Sequence, residues 1–388
     1  MAPAPEPERR TLVMSVTRTI EYEVRHVKRP VFDLGEHELA NLVGSRQVLL
    51  VVDTLVWQRH GAAIEAYASR RLDCLDIRCI GGLESDKTLE AASALCAAAV
   101  QARLPRDGVF IGVGGGVVLD VTGFAAAMYR RGVPFVRVPT TLVGLIDVSV
   151  GIKHAVNFGG KKNLLGAFYP PLGSINDKSF LATLPPRHIA CGLAEIVKIG
   201  LACDAKLFTL VERFGATLLA SRFRTPSAVA DEVLLRAEYA MMNELAPNLF
   251  ETTLRRPADF GHTFSPLLEV ASHYELAHGE AVALDMLVST AIAIGRGLCD
   301  PVILARLLDF YRDVGLPTAH PLLAPELLFR AAAETREHRG GHLNLVVPTA
   351  AGATAFIQEV ETGELGRAIA SLAKHARRRE GQYGMYRR

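Results

Sequence analysis

The sequence predicts an α/β domain built on a parallel, Rossmann-like sheet, followed by a mainly helical domain. Three observations carry this reading. Short β-rich runs alternate with helical runs through the first half, a spacing that makes layered parallel sheets. From about residue 180 the apolar pattern is mostly helical. One strand candidate runs directly into a glycine turn and a helix.

The elements follow in order. "RQVLLVVD" (46–53) reads as a strand ending in an acid, "GAAIEAYASRR" as a helix and "LDIRCI" as a strand. "TLEAASALCAAAVQA" is an Ala-rich helix, "DGVFIGVGGG" a strand entering a glycine turn, "VLDVTGFAAAMYRR" the helix after it, and "PFVRVPTT" the next strand. Helices are then expected in "RHIACGLAEIVKIGLA", "PSAVADEVLLRAEYAMMNELA", "GEAVALDMLVSTAIAIGRG" and "PVILARLLDFYRDVG". The expected limits are a disordered tail at 1–15, the α/β domain at 16–180, the helical domain at 181–375 and a basic tail at 376–388. A site is expected in the cleft between the two domains.

With 388 residues the chain can bury a large core in two domains. Forty-three basic against 41 acidic residues leave a net charge of +2, which gives no global case for nucleic acid. The end, "KHARRREGQYGMYRR", reads as a solvated, frayed terminus. The six cysteines form no CxxC pair and are expected as reduced thiols. "MAPAPEPERR" lacks the apolar run of a secretory signal, and "AVALDMLVSTAIAIG", which contains Asp285, reads as a buried helix rather than a membrane span. A cytoplasmic protein is expected.

Four motifs could carry chemistry. Gly112, Gly114, Gly115 and Gly116 follow a strand and open a helix, where backbone amides can meet a phosphate. The spacing is GxGGG rather than GxGxxG, so a tight turn without ligand is also open. Asp53, at a strand end, is placed as a ribose-hydroxyl acceptor or as a plain turn residue. In "RVPTTLVGLIDVSVGIKHAVNFGGKKN" (137–163), Thr140, Thr141, Asp147, Lys153, Lys162 and Asn163 are spaced through an apolar, Gly-rich frame. That suits a lined site for a phosphate or polyol, against an exposed basic loop. In "GLAEIVKIG", Glu195 and Lys198 share a helix face among apolar neighbours, and buried charges need partners or a metal. Glu195 with His262 of "ADFGHTFSP" and His278 of "ELAHGEAVAL" would complete a three-ligand catalytic-zinc set, although each histidine alone could fill a core.

"GGGVVLDVTGFAAAMYRRG", "PTTLVGLIDVSVGIK", "KKNLLGAFYPP", "GLAEIVK", "DFGHTF" and "HGEAVALDM" occur in an order and spacing that resembles the sugar phosphate cyclases, whose best-known member is 3-dehydroquinate synthase. The resemblance runs from about residue 46 to 350. It implies an NAD-binding α/β domain, a helical metal-binding domain and a homodimer acting on a small sugar phosphate, with no nucleic acid or membrane partner. It implies Glu195, His262 and His278 as ligands of zinc or cobalt. It places NAD against Asp53, Glu84, Lys87, Gly114, Gly115, Gly116, Asp120, Thr140, Thr141 and Lys162. It puts Asp147, Lys153, Lys198, Arg255 and Asp259 at the reacting centre. Asn163, Lys162, Pro266 and Met241 would line the substrate, with Arg131 reaching across from a second copy.

Dehydroquinate synthases typically read "LNFGHTFGH" where this chain reads "ADFGHTFSP", so Asp259 replaces an asparagine and Pro266 a histidine. A substrate-carboxylate lysine of the family falls near "AEYAMMNELAPN", at Met241 or Met242. Loss of that cation argues for a substrate without a carboxylate, as in the branch that cyclises sedoheptulose 7-phosphate. The implied chemistry is transient C5 oxidation by NAD, phosphate elimination, re-reduction, ring opening and an intramolecular aldol. Which seven-carbon cyclitol forms stays open, with Ala258, Asp259, Pro266 and the segment containing His338 and His342 as candidate determinants. A metal-dependent polyol dehydrogenase and a non-catalytic sugar-phosphate sensor are the competing readings.

Overall fold

The computed structural model describes residues 12–17 and 19–384, with side-chain surroundings through Lys374. Its elements are β1 (Glu23–His26), α1 (Glu38–Val43), β2 (Gln47–Asp53), α2 (Thr54–Arg71), β3 (Asp73–Ile80), α3 (Leu89–Gln101), β4 (Val109–Gly114), α4 (Gly116–Met128), β5 (Phe135–Pro139), β6 (Lys153–Phe158), β7 (Lys161–Phe168) and β8 (Gly173–Asn176). There follow α5 (Pro186–Cys203), α6 (Ala205–Ser221), α7 (Ser227–Leu245), α8 (Ser265–Ala271), α9 (His278–Gly295), α10 (Pro301–Val314), α11 (Pro325–His338), β9 (Leu345–Ala350), β10 (Ala353–Ile357) and α12 (Thr362–Gly384).

The main sheet has the order β1-β8-β5-β4-β2-β3, with all its pairings parallel. Its strands read as continuous apolar runs because both faces are covered. Val48, Leu50 and Val52 face one core with Ile111 and Val138. Leu49 and Val51 face the other with Phe110 and Phe135. The chain steps outward from β2 to β3 and then crosses back to β4 on the other side of β2. The strand order therefore reverses between β2 and β4, and the crevice beyond their carboxyl ends is the expected ligand position in such a sheet. Asp53 ends β2 and Gly114 ends β4.

The expected α/β and helical halves are both present, and each proposed strand and helix of the sequence reading has its counterpart. A 3-10 turn, Lys178–Thr183, separates β8 from α5. The two halves interlock, because Leu142, Leu145, Ile146 and Val150, which follow β5, are buried in the core of the helical half. The hairpin β6–β7 rises from that segment, and a second hairpin, β9–β10, packs Leu345, Val346 and Val347 into the same core. Helix α9 is long and apolar enough to cross a membrane by composition, but 78% of it is buried inside the fold, as the sequence reading expects for a core helix. The helical backbone of α12 runs through the expected boundary at 375 as far as Gly384. Of the expected N-terminal tail, residues 1–11 lie outside the described residues, and Leu12, Val13 and Met14 are exposed.

Arg137 on β5 holds the segment after the strand. Its buried guanidinium donates to the carbonyls of Val148, Gly151 (2.7 Å) and Ser149 (3.2 Å) and to Ser174 Oγ (3.1 Å). The Val148 and Gly151 carbonyls are thereby satisfied, the Ser149 carbonyl is shared with Ser174 Oγ (2.9 Å), and the irregular turn Gly144–Val148, which carries Asp147, is fixed against the sheet.

Candidate metal and dinucleotide site

Glu195 lies in the middle of α5, a helix apolar around most of its circumference, and is 1% exposed. His278 is the first residue of α9. The two meet because Gly279 has no side chain. A Cβ there would fall 2.4 Å from the Cys191 Cα and carbonyl oxygen, so only glycine lets the start of α9 sit on α5. His262 comes from the loop before α8. Asp285 on α9 anchors that loop by accepting from the amides of Thr263 (2.8 Å), Phe264 (2.5 Å) and Ser265 (3.0 Å).

These elements bring the three expected ligands together, with donor atoms all within 4.8 Å of one another. His278 Nε2 is 3.1 Å and His262 Nε2 4.0 Å from Glu195 Oε1. His262 Nδ1 lies 3.2 Å from the Phe260 carbonyl, and His278 Nδ1 3.0 Å from Glu269 Oε1. Each imidazole thus has an acceptor on one nitrogen and turns the other toward Glu195, as metal-ligating histidines do. Lys198 Nζ is 2.7 Å from Glu195 Oε2, yet neither buried Glu195 oxygen receives a well-angled hydrogen bond. An under-satisfied buried carboxylate beside two aligned imidazoles fits a divalent metal with N/O ligands. Both rings stay partly accessible, 27% and 36%, which leaves room for a substrate oxygen at an open position.

The charges agree with that use at His262; at His278 burial is overcome by Glu269 and Glu195, which raise it to about 9, so a metal taking its Nε2 must displace a proton. Burial, then Lys198, pushes His262 down to about 3, so its ring is neutral with a lone pair to give. Burial works against a charge on Lys198 too, but Glu195 and Asp147 overturn it and hold the ammonium above its usual range.

Four of the expected dinucleotide residues, Glu84, Lys87, Asp120 and Lys162, join in one network through Asn157 and Asn163. Lys87 Nζ contacts Asp120 (2.5 Å) and Asn163 Oδ1 (2.6 Å). Asn157 donates to Glu84 Oε1 (2.9 Å) and accepts from the Asn163 amide (2.9 Å). Thr140 donates its amide to the Gly114 carbonyl (2.9 Å), and Thr141 Oγ1 caps the Gly144 amide. The amides at the start of α4 have no side-chain cap, which leaves an anion-receptive helix end at the strand-order reversal. This crevice fits a dinucleotide. Packing accounts for one glycine independently, since a Cβ on Gly114 would sit 2.7 Å from the Val118 Cβ. Asp53 Oδ1 caps α2 through Leu55 (2.7 Å) and Val56 (3.4 Å), the turn role that the sequence also allowed.

Several expected site residues sit differently from a simple lining. Asp259 is gripped by Arg256 (2.7–3.2 Å) and by Arg339 (2.9 Å). Arg256 also pairs with Glu251, which Lys153 contacts at 2.7 Å. Arg255 is exposed, its guanidinium 4.6 Å over the Phe356 ring, and it is Arg256 that enters this network. Met241 is 5% exposed in the helical core, whereas Met242 is 44% exposed. Pro266 opens α8, where its missing N–H leaves no orphan donor. Sequence reasoning missed Glu269, Arg256 and Arg339 as site residues, and the anchoring role of Asp285. Arg339 lies in the "EHRGGHLNLVVPT" segment flagged for other reasons.

A parallel sheet with a dinucleotide crevice, joined to a Glu-His-His set around a buried carboxylate, defines a metal- and dinucleotide-using enzyme. The comparisons narrow the class. Residues 78–191 match the N-terminal domain of 3-dehydroquinate synthase and 192–337 its C-terminal domain. The 2-epi-5-epi-valiolone synthase of Actinoplanes sp. is 42% identical over 92% of this chain and 92% of its own length. That of Streptomyces glaucescens is 41% identical over 91% and 90%. The structure of ValA, the 2-epi-5-epi-valiolone synthase of Streptomyces hygroscopicus, solved with NAD+ and Zn2+ bound, superposes with a TM-score of 0.89. It is 39% identical and covers 94% of this chain and 99% of that one. The chain belongs to the 3-dehydroquinate synthase-like sugar phosphate cyclases.

Proposed function

We propose that this enzyme cyclises sedoheptulose 7-phosphate to 2-epi-5-epi-valiolone and releases phosphate. The observation that carries the reading is the contact of the Glu195–His262–His278 set with the lysine-bearing segment of 137–163 through Glu269, which meets both His278 and Lys162. The similarity to named 2-epi-5-epi-valiolone synthases along nine-tenths of the chain supports this product.

Glu195, His262 and His278 would hold the metal, and the Asp53, Glu84–Lys87, Gly114–Gly116, Asp120 and Thr140–Thr141 positions the NAD. When bound, they supply a Lewis acid and a reversible hydride acceptor. The net reaction is redox-neutral: one C–C bond forms and one C–O bond to phosphate breaks. Lys198, kept charged, offers a fixed ammonium to an oxyanion at the metal side. Burial of the ammonium, then Arg256, lower Lys153 below the usual lysine range, although 54% of its side chain is exposed. Asp259 is held below the usual carboxylate range: burial opposes this, and Arg256 and Arg339 prevail. We assign it to fixing Arg256 beside Lys153 rather than to taking protons. A homodimer belongs to the proposal. Arg131, exposed after α4 with φ of 64°, is the residue offered to the second copy. Six free thiols suit a reducing cytoplasm.

The test is NMR of the product from sedoheptulose 7-phosphate with the purified enzyme, NAD and zinc. The expected products are 2-epi-5-epi-valiolone and inorganic phosphate. A spectrum of 2-epi-valiolone or desmethyl-4-deoxygadusol would overturn the product assignment. Turnover of the dehydroquinate precursor alone would overturn the substrate.

A further inference from the structure

Glu269 lies outside every motif singled out in the sequence, yet it touches both halves of the site. It sits on α8 and is 3% exposed. Its two oxygens have separate partners: Oε1 is 3.0 Å from His278 Nδ1, and Oε2 is 2.5 Å from Lys162 Nζ. Lys162 Nζ is 3.9 Å from Glu84 Oε1, which Asn157 binds at 2.9 Å. From Asn157 the contacts continue through Asn163 and Lys87 to Asp120. A polar chain therefore runs from the metal set to α4, with one long link at the 3.9 Å Lys162–Glu84 ion pair.

We infer that Glu269 is a positioning residue that couples the two sites, so that filling one tightens the other. The inference rests on the reading of Lys162 and the Glu84–Lys87 turn as dinucleotide contacts. A ligating imidazole keeps its orientation by giving its other N–H to an acceptor. Here that acceptor is a buried carboxylate whose second oxygen is the counter-ion of a buried ammonium. With His278 pinned through Nε2, Oε1 stays in place and Oε2 holds Lys162 toward Glu84. With the ring free to turn, that relation is lost. Neither Oε1 nor Oε2 can move without the other, because they belong to one rigid carboxylate. Linkage is reciprocal, so the factor by which metal raises NAD affinity is the factor by which NAD raises metal affinity.

The test uses the full-length enzyme. Zinc is competed away by a chromogenic chelator with and without saturating NAD, and NAD affinity is measured calorimetrically on zinc-loaded and chelated protein. For the unmodified enzyme both affinities should rise together by the same factor, about 5-fold or more. In Glu269→Gln the amide can accept from one partner only and turns an NH2 group toward the other. Zinc affinity should then fall by about 10–100-fold, and the mutual factor should vanish. Lys162→Met keeps the His278–Glu269 contact but strips the carboxylate of its ammonium, so zinc affinity without NAD should fall less than in Glu269→Gln while the mutual factor is lost. If the unmodified enzyme binds both ligands independently, the coupling is overturned and the site reading survives. If it binds no NAD at all, the site reading falls with it. Should Glu269→Gln fail to fold, Lys162→Met decides alone, and retained coupling there overturns the proposal.

Discussion

His262→Ala is expected to abolish stoichiometric zinc and to lower kcat/KM by about 10³-fold or more, the loss of a Lewis acid worth several kcal/mol. The reason is geometric. His262 Nε2 is one of three donors, and the remaining pair, Glu195 and His278, cannot close a three-ligand site. The substitution is a clean one, since the hydrogen-bond partner of the ring, the Phe260 carbonyl, is two residues away in the same loop. Glu195→Ala would be a poorer probe, because it would strand the buried Lys198 ammonium without its 2.7 Å partner. Breaking such a buried pair costs about 3–5 kcal/mol in stability, so fold and chemistry would fail together. Metal content by atomic emission and turnover of sedoheptulose 7-phosphate check the expectation. Full zinc occupancy with retained turnover would remove His262 from the metal site.

The second large effect is expected from Asp259→Asn. The change is nearly isosteric and restores the residue usual at this place in dehydroquinate synthases, so sequence alone would rate it mild. In this structure it removes the negative charge shared by Arg256 and by Arg339, whose side chains are 19% and 7% exposed. Arg339 also ties the segment before β9 together through the Leu343 and Asn344 carbonyls (2.8 and 3.0 Å). We expect a stability loss of about 3 kcal/mol, seen as a lower urea midpoint, together with a fall in kcat/KM for the seven-carbon sugar as Arg256 leaves its place beside Glu251 and Lys153. An unchanged midpoint and unchanged turnover would show that the Asp259 network does not hold the site.

Local pattern made the sheet and the long helices legible, because strands covered on both faces become continuous apolar runs and α5 and α9 are long and periodic. The metal set was legible for a different reason: each ligand sits inside a long motif that resembles the family. What escaped has a common cause. Glu269 in "PLLEVAS" looks like the polar side of a short helix, and only the fold sets it between Lys162 and His278. Asp285 counted in the sequence only against a membrane span, yet it caps the loop bearing His262 from 20 to 22 residues away. Arg256 and Arg255 are indistinguishable as neighbours in sequence, and the backbone direction after Leu254 decides which one meets Asp259. The β6–β7 hairpin is hidden in a segment whose polar groups suggest a lined site, since its lysines and the Gly159–Gly160 pair obscure the alternation of a strand. For Glu269 and Asp285 the deciding partner is far along the chain, where periodicity carries no information.

The central claim is that this site moves a hydride out and back while phosphate leaves. The most direct measurement follows phosphate release and NADH absorbance together, with sedoheptulose 7-phosphate in large excess over enzyme-bound NAD. The account predicts many phosphates released per NAD, an equal amount of cyclitol, and no accumulating NADH. NADH rising in step with substrate consumption, without phosphate, would make the protein a polyol dehydrogenase and contradict the account.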